Sequence, residues 1–194
     1  MKRFKSLLLE FFDLPLTEVD SGVVPQNAPR EGYTQRLFHA PLPDDRGNGT
    51  NANLWLTWLT DPTGKEHEVH FTTSRDVNLD SYRRTRENLS RTYGDQFPIT
   101  PVHVMGASGL LEQPHDVSFG PATMYHIFHH IKSVADQANP GAIIHFDARM
   151  PGEGQESRRR SSIYRRYLER FIEQGLGDAL PTDDPDHIKV VKFK

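Results

Sequence analysis

The sequence predicts an α/β fold of the α+β kind, with a mixed, mainly antiparallel sheet flanked by helices. Three observations lead to this fold class. Short apolar runs with strand-like alternation are separated by turn residues, and one pair of runs has the signature of a hairpin. A later stretch, Ser118–Gln174, has the pattern helix, strand, helix. Because parallel strands need crossover connections of this kind, that unit following several strands predicts a mixed sheet.

The first 30 residues are predicted to be an amphipathic helix followed by a linker. In Met1–Phe12 the apolar side chains recur at helical spacing, and three prolines follow before residue 31. A terminal helix docked on the body is one interpretation of this segment. Residues 31–194 are predicted to form a single α/β domain, because 194 residues suit one domain and no internal repeat is present.

Strands and one helix are predicted in the first half of that domain. The hairpin joins Leu54–Thr60 to Glu68–Thr73 through Asp61-Pro62-Thr63-Gly64, which has the residues of a turn. Alternation in its first strand places leucines and tryptophans on both faces. A strand is predicted before it at Tyr33–Ala40. After the hairpin we predict a polar helix over Asn78–Tyr93, with Tyr82, Leu89 and Tyr93 facing inward, and a proline-bearing edge strand over Phe97–Met105.

The second half is predicted to carry the crossover. Pro121–Ala138 has an apolar face at helical spacing and ends at an Asn-Pro-Gly stop. The short apolar run Ala142–Ala148 is a strand, and Ser157–Gln174 is a helix whose C′ residue is Gly175. An acidic loop over Gly177–His187 leads to a closing strand, Ile188–Phe193.

Composition excludes several classes of protein. The chain has no cysteine, which excludes disulfides and thiolate chemistry, and its net charge of −3 argues neither for nor against a polyanionic partner. No apolar run reaches the roughly 18 residues of a membrane helix, so no membrane partner is expected. The apolar run Leu7–Leu9 is too short for a signal peptide, so export by that route is not expected either.

The first ten residues, MKRFKSLLLE, resemble the capsid-targeting peptide of internal head proteins from T-even-type tailed phages. Met1, Lys2, Phe4, Leu7, Leu8 and Glu10 stand in register with that pattern. The resemblance implies packaging in the phage head and removal of the peptide by cleavage between Glu10 and Phe11. It places the protein in the virion interior or the host cytoplasm, with the head interior and packaged DNA as partners.

The order of elements resembles the GNAT (acyl-CoA N-acyltransferase) fold, and the local match is Ile143–Leu168. There a strand ending His-Phe-Asp-Ala precedes an Arg/Ser-rich turn and Ile-Tyr-Arg-Arg-Tyr-Leu, an arrangement that also recurs in uncharacterised phage proteins. The resemblance implies acetyl-CoA as cofactor and Tyr164 as general acid beside its sulfur. The family binds pyrophosphate with a glycine-rich loop at a helix start, and only Gly120 and Ala122 match that loop here.

Charged residues near the crossover offer two further candidates, each with a structural alternative. Asp147 follows a predicted strand, where it could act as a base or pair with Arg149 or the later arginines. Arg159, Arg166 and Arg170 recur along one helix and could contact phosphate or nucleic acid. With a net charge of −3, a solvated face paired to nearby glutamates and the acidic loop is the favoured interpretation.

Three of the ten histidines, His126, His129 and His130, have spacings that could share one helix face. No metal-binding motif accompanies them, and we interpret them as partly exposed residues flanking the apolar face rather than as a metal site.

Three functions stay open at this point. The first is a phage accessory protein packaged in the head and delivered with DNA. The second is a GNAT-type acyltransferase, and the third is a module that binds and inhibits a host protein.

Overall fold

The fold is described from a computed structural model. It describes residues 16–42, 52–75, 78–94, 97, 99, 104, 126–130, 132–134, 140–146, 165–166, 169, 172–175, 177–181 and 188–192.

One sheet organises the described part of the chain, and the predicted fold class is confirmed. Its seven strands are β1 (Thr17–Val23), β2 (Thr34–Leu42), β3 (Ala52–Thr60), β4 (Glu66–Arg75), β5 (Ile143–Phe146), β6 (Asp178–Ala179) and β7 (Ile188–Lys192). They lie in the order β1-β2-β3-β4-β5-β7-β6. Every neighbouring pair is antiparallel except β4 with β5, which is parallel. A mixed, mainly antiparallel sheet follows.

The β3–β4 hairpin forms where the turn residues predict it. The Asp61 side chain accepts hydrogen bonds from the backbone N–H groups of Thr63 and Lys65, at 3.0 and 2.9 Å. Gly64 has φ +84°, a left-handed conformation that glycine adopts without steric cost. The turn therefore sets the register of two long strands, which pair from Ala52–Arg75 to Thr60–Glu66.

Helix α1 (Leu79–Tyr93) follows β4 and agrees with the predicted helix. Its N-cap is Asn78, whose side chain accepts a hydrogen bond from the Ser81 backbone N–H at 2.9 Å. Gly94, at φ +66°, ends the helix. Tyr82 is buried and Leu89 half-buried, as predicted, but Tyr93 is exposed. Tyr93 instead lies against Phe97, with ring centroids 5.7 Å apart, at the margin of the core.

Strand β1 lies within the stretch interpreted as a linker. It pairs with β2 from Thr17–His39 to Val23–Thr34, with an irregularity between Glu18 and Asp20. The sequence TEVDSGV has no apolar run or turn signal of its own, so its pairing depends on β2. The edge strand predicted at Phe97–Met105 is wrong for its described residues, because Val104 is helical and no described residue there pairs in the sheet. Prolines at 98 and 101, which lack the N–H of a ladder, disfavour pairing.

A compact core lies between the sheet and α1. Its buried members are Leu37, Trp55, Tyr82, Ile99 and Val104. Ile99 and Val104 thus contribute apolar side chains to this core, and the half-buried Phe97 packs against it.

A polar network ties α1 to the edge strand. The Tyr82 hydroxyl lies 2.8 Å from both Asp20 Oδ2 and the Ile99 carbonyl oxygen, and it can donate to either. Arg86 donates to the same Asp20 oxygen at 3.1 Å. Burial, followed by the nearby Asp20 charge, raises the pKa of Tyr82, so the phenol stays protonated and able to donate.

The helices and strands predicted for the second half agree with the structure where they are described. The predicted loop Gly177–His187 is wrong at Asp178–Ala179, because these residues form β6 and pair with β7. Residues 126–130, 132–134, 165–166, 169 and 172–173 are helical, and Gly175, at φ +71°, donates its N–H to the Ile172 carbonyl as a C′ residue does. Among the described residues, no helix combines the length and apolar character needed to span a bilayer.

Candidate active site

Most residues that the sequence nominated lie outside the described residues. These are Tyr164, Asp147, Gly120, Ala122, Arg159, Arg170, Glu10 and Phe11. Arg166 is described: it is helical and exposed, so it could meet a phosphate or a partner protein. The other two arginines of that group are not described, and the phosphate-binding hypothesis stays a prediction.

The parallel pair β4–β5 is the feature of the sheet that positions a site. Its register runs from Glu68–Ile143 to Phe71–Phe146. Strand β4 continues to Arg75, and within the described residues these last four positions pair with β3 and not with β5. Ligands of open α/β sheets bind in the crevice beyond the carboxyl ends of the parallel strands. Asp147, next in sequence after Phe146, follows that end of the pair.

A carboxylate and an imidazole stand together on β4. Glu68 and His70 are two residues apart, so strand alternation places them on one face. His70 Nε2 lies 3.1 Å from Glu68 Oε2. The Glu68 side chain is only 5% exposed, whereas that of His70 is 40% exposed. A buried carboxylate therefore orients an imidazole that solvent and ligands can reach.

Arg30 completes this group from the β1–β2 connection. Its guanidinium donates to the other Glu68 carboxylate oxygen, Oε1, in an ion pair. The hydrogen bond to Glu68 raises the pKa of Arg30, and the cation compensates a carboxylate that would otherwise be buried without a counter-charge. We refer to Arg30, Glu68 and His70 as the Glu68 group.

The sheet register places residues of β3 and β5 beside His70. His70 is the register partner of Thr57 on β3 and of His145 on β5. The imidazole thus stands within the parallel pair, one residue before the last pairing, Phe71–Phe146. The chemistry available is proton transfer, since the hydrogen bond to the carboxylate favours one tautomer of the imidazole and leaves its other ring nitrogen as a proton acceptor.

Sequence reasoning missed the Glu68 group, although one signal was present. Glu-x-His within a predicted strand places two titratable side chains on the same face. Nothing near them in sequence indicated that Glu68 is buried, because its cation comes from Arg30, 38 residues earlier.

The histidines at 126, 129 and 130 are arranged differently from the interpretation above. His126 and His130 are buried and only His129 is exposed. Burial lowers the pKa of His126, and burial with the neighbouring His129 charge lowers the pKa of His130 to about 4. Both imidazoles are therefore neutral at pH 7. Within the described part of the chain, no group of three His, Cys, Asp or Glu side chains is placed to hold a metal ion.

Comparison of the chain with protein-family models, with curated protein sequences and with solved structures finds no match.

Proposed function

We propose that the body of this protein is an N-acyltransferase that moves an acyl group from an acyl-CoA thioester to an amine. The observation that carries the proposal is the parallel β4–β5 pair inside an otherwise antiparallel sheet, with a partly exposed histidine in the pair. This arrangement agrees with the GNAT-like order expected from the sequence. The structure also offers a proton acceptor, His70, which the GNAT resemblance did not include.

The reaction assigns one role to each group. His70, oriented by Glu68, removes a proton from the acceptor ammonium, and the free amine attacks the thioester carbonyl. A C–N bond forms, the C–S bond breaks, and the CoA thiolate leaves. Tyr164, by its resemblance to the family's general acid, would protonate the thiolate, and the resulting phenolate would take the second proton that the attacking nitrogen must lose to become an amide. Acetyl-CoA is the simplest donor to test.

The test is titration of the purified protein with acetyl-CoA. Binding is measured by isothermal titration calorimetry and by the shift in melting temperature. We expect saturable binding below millimolar concentration, and we expect His70→Gln to retain this binding while it lowers acetyl transfer to an amine mixture. The histidine is partly exposed, so the variant should fold. The absence of both heat and thermal shift at millimolar acetyl-CoA would contradict the proposal.

We further propose that the chain is a phage accessory protein packaged in the head and delivered with DNA. The motivation is the decapeptide Met1–Glu10, which matches the capsid-targeting pattern at six positions. A delivered acyltransferase would act on host or phage amines after injection, so the two proposals are compatible.

Intact-mass analysis of the protein from its native source tests this second proposal. We expect virions to contain a species that begins at Phe11, and we expect Glu10→Gln to block its formation, because the cleavage pattern requires a glutamate at that position. The recombinant chain, made without the maturation protease, should keep all 194 residues. A full-length species in virions, or no protein in virions, would contradict packaging by this peptide.

A further inference from the structure

The contact between Arg30 and Glu68 joins a partly exposed side chain to a buried one. Glu68 is 5% exposed and lies within the sheet, whereas the Arg30 side chain is 41% exposed. The guanidinium therefore meets the carboxylate from the solvent side. A second arginine–glutamate pair, Arg36 with Glu18, serves as a contrast, because both of its side chains lie in solvent at 48% and 39% exposure.

The β1–β2 connection carries Arg30 on a backbone conformation that is unfavourable for non-glycine residues. Asn27 and Arg30 have φ values of +65° and +70°, which residues with a Cβ seldom adopt. Two hydrogen bonds compensate: the Tyr33 backbone N–H donates to the Arg30 carbonyl at 3.0 Å, and the Asn27 backbone N–H donates to the Glu31 side-chain carboxylate at 3.0 Å. Non-glycine residues held in this region cluster at sites of ligand binding and switching.

We propose that Glu68, with His70, forms a recognition site for a guanidinium group, and that Arg30 is the chain's own occupant of this site. A guanidinium-bearing ligand displaces Arg30 and pairs with the buried carboxylate. Guanidinium is favoured over ammonium because its planar donors match a carboxylate and because it loses less hydration on burial. Most residues of the β1–β2 connection are exposed and Arg30 is outside the β1–β2 pairing, so displacement of its side chain requires no change in the sheet.

One extension of this inference rests on the proposed function. If His70 is the base for acyl transfer, a ligand anchored at Glu68 by a guanidinium would present a second, nucleophilic amine beside that imidazole. The acceptor class is then a small amine that also carries a guanidinium, such as agmatine or an arginine derivative. The binding site itself does not depend on acyl transfer.

The experiment is calorimetric titration of agmatine into the full-length wild-type protein, Arg30→Ala, Arg30→Lys and Arg36→Ala. Arg30 competes with the ligand, so we expect its removal to tighten agmatine binding by about tenfold or more, the reciprocal of the fraction of molecules in which Arg30 leaves the site free. Arg30→Lys keeps a cation but lacks the planar donors, and it should tighten binding to a lesser degree. Arg36→Ala, the matched control, should bind agmatine as the wild type does.

Two further titrations test whether the ligand pairs with Glu68 and whether the site prefers a guanidinium to an ammonium. Glu68→Gln added to Arg30→Ala should abolish agmatine binding, and butylamine, which has an ammonium but no guanidinium, should bind Arg30→Ala more weakly than agmatine does. Equal agmatine affinity in wild type, Arg30→Ala and Arg30→Lys would overturn the proposal, as would binding that survives Glu68→Gln. If Arg30→Ala does not fold, Arg30→Lys carries the comparison. Acetyl-CoA is titrated separately, so failure of the acyl-transfer proposal leaves these outcomes readable.

Discussion

Replacing Trp55 with alanine is expected to lower the free energy of unfolding by about 3–5 kcal/mol, the range for removing a fully buried aromatic side chain. Trp55 is the largest side chain that is fully buried among the described residues. Its ring lies 4.5 Å from that of His39 and 5.2 Å from that of Tyr82, centroid to centroid. The truncation would leave a cavity between sheet and α1, in the core cluster that includes Leu37 and Ile99.

Urea denaturation followed by far-ultraviolet circular dichroism measures this loss without depending on tryptophan fluorescence. Trp58→Ala is the matched control, because Trp58 lies three residues along the same strand on the opposite face and is only half-buried. We expect a clearly smaller loss there. Equal losses in the two variants would mean that the core beneath α1 does not dominate stability.

Acidification is expected to begin to destabilise the fold below about pH 6.5, above the range in which most carboxylates titrate. Burial lowers the pKa of His130 from 6.5 to about 4, and burial also lowers those of His126 and His39. Between these values the unfolded chain binds more protons than the folded chain, so stability falls as pH falls. The contribution is fully present above pH 6.5 and is lost progressively toward pH 4. His130 alone accounts for about 3 kcal/mol, at roughly 1.4 kcal/mol for each pKa unit.

Urea midpoints measured from pH 7.5 to pH 4.5 test this expectation. His130→Leu removes the titrating group and keeps a buried apolar side chain, so its stability should depend less steeply on pH than that of the wild type. A parallel slope in the two proteins over this range would show that His130 does not carry the effect. His39, hydrogen-bonded to Asn53 Oδ1 at 2.8 Å, should contribute in the same direction and remain in both proteins.

Local chemistry explains which elements could be predicted from the sequence. The β3–β4 hairpin has its own turn residues, and α1 has Asn78 at its start and Gly94 at its end. These signals act within a few residues, so the pattern alone indicates the element. Strand β1 has no such signal, since its sequence TEVDSGV alternates only weakly and becomes a strand through its pairing with β2.

The candidate site was harder to predict because it is assembled over long sequence distances. Glu68 and His70 were recognisable as neighbours on one strand face, but β5 and Arg30 join them from distant parts of the chain. The GNAT resemblance nominated Tyr164, and the position after a predicted strand nominated Asp147. The roles of both residues stay predictions. The buried His126 and His130 were missed for a similar reason: helical spacing shows which residues share a face, but not what covers that face.

The parallel β4–β5 pair also bears on the order in which the chain folds. Strands β1 to β4 pair with their neighbours in sequence, whereas Phe71 and Phe146 meet only after the intervening chain closes a long loop. The entropic cost of closure rises with loop length, so the meander of four strands should assemble first and β5 should dock later. During synthesis, the β4 edge, with Val69 and Phe71, would emerge before the strand that covers it. Such an uncovered edge invites pairing with other chains, which makes β4 the place where aggregation of a nascent or truncated chain should begin.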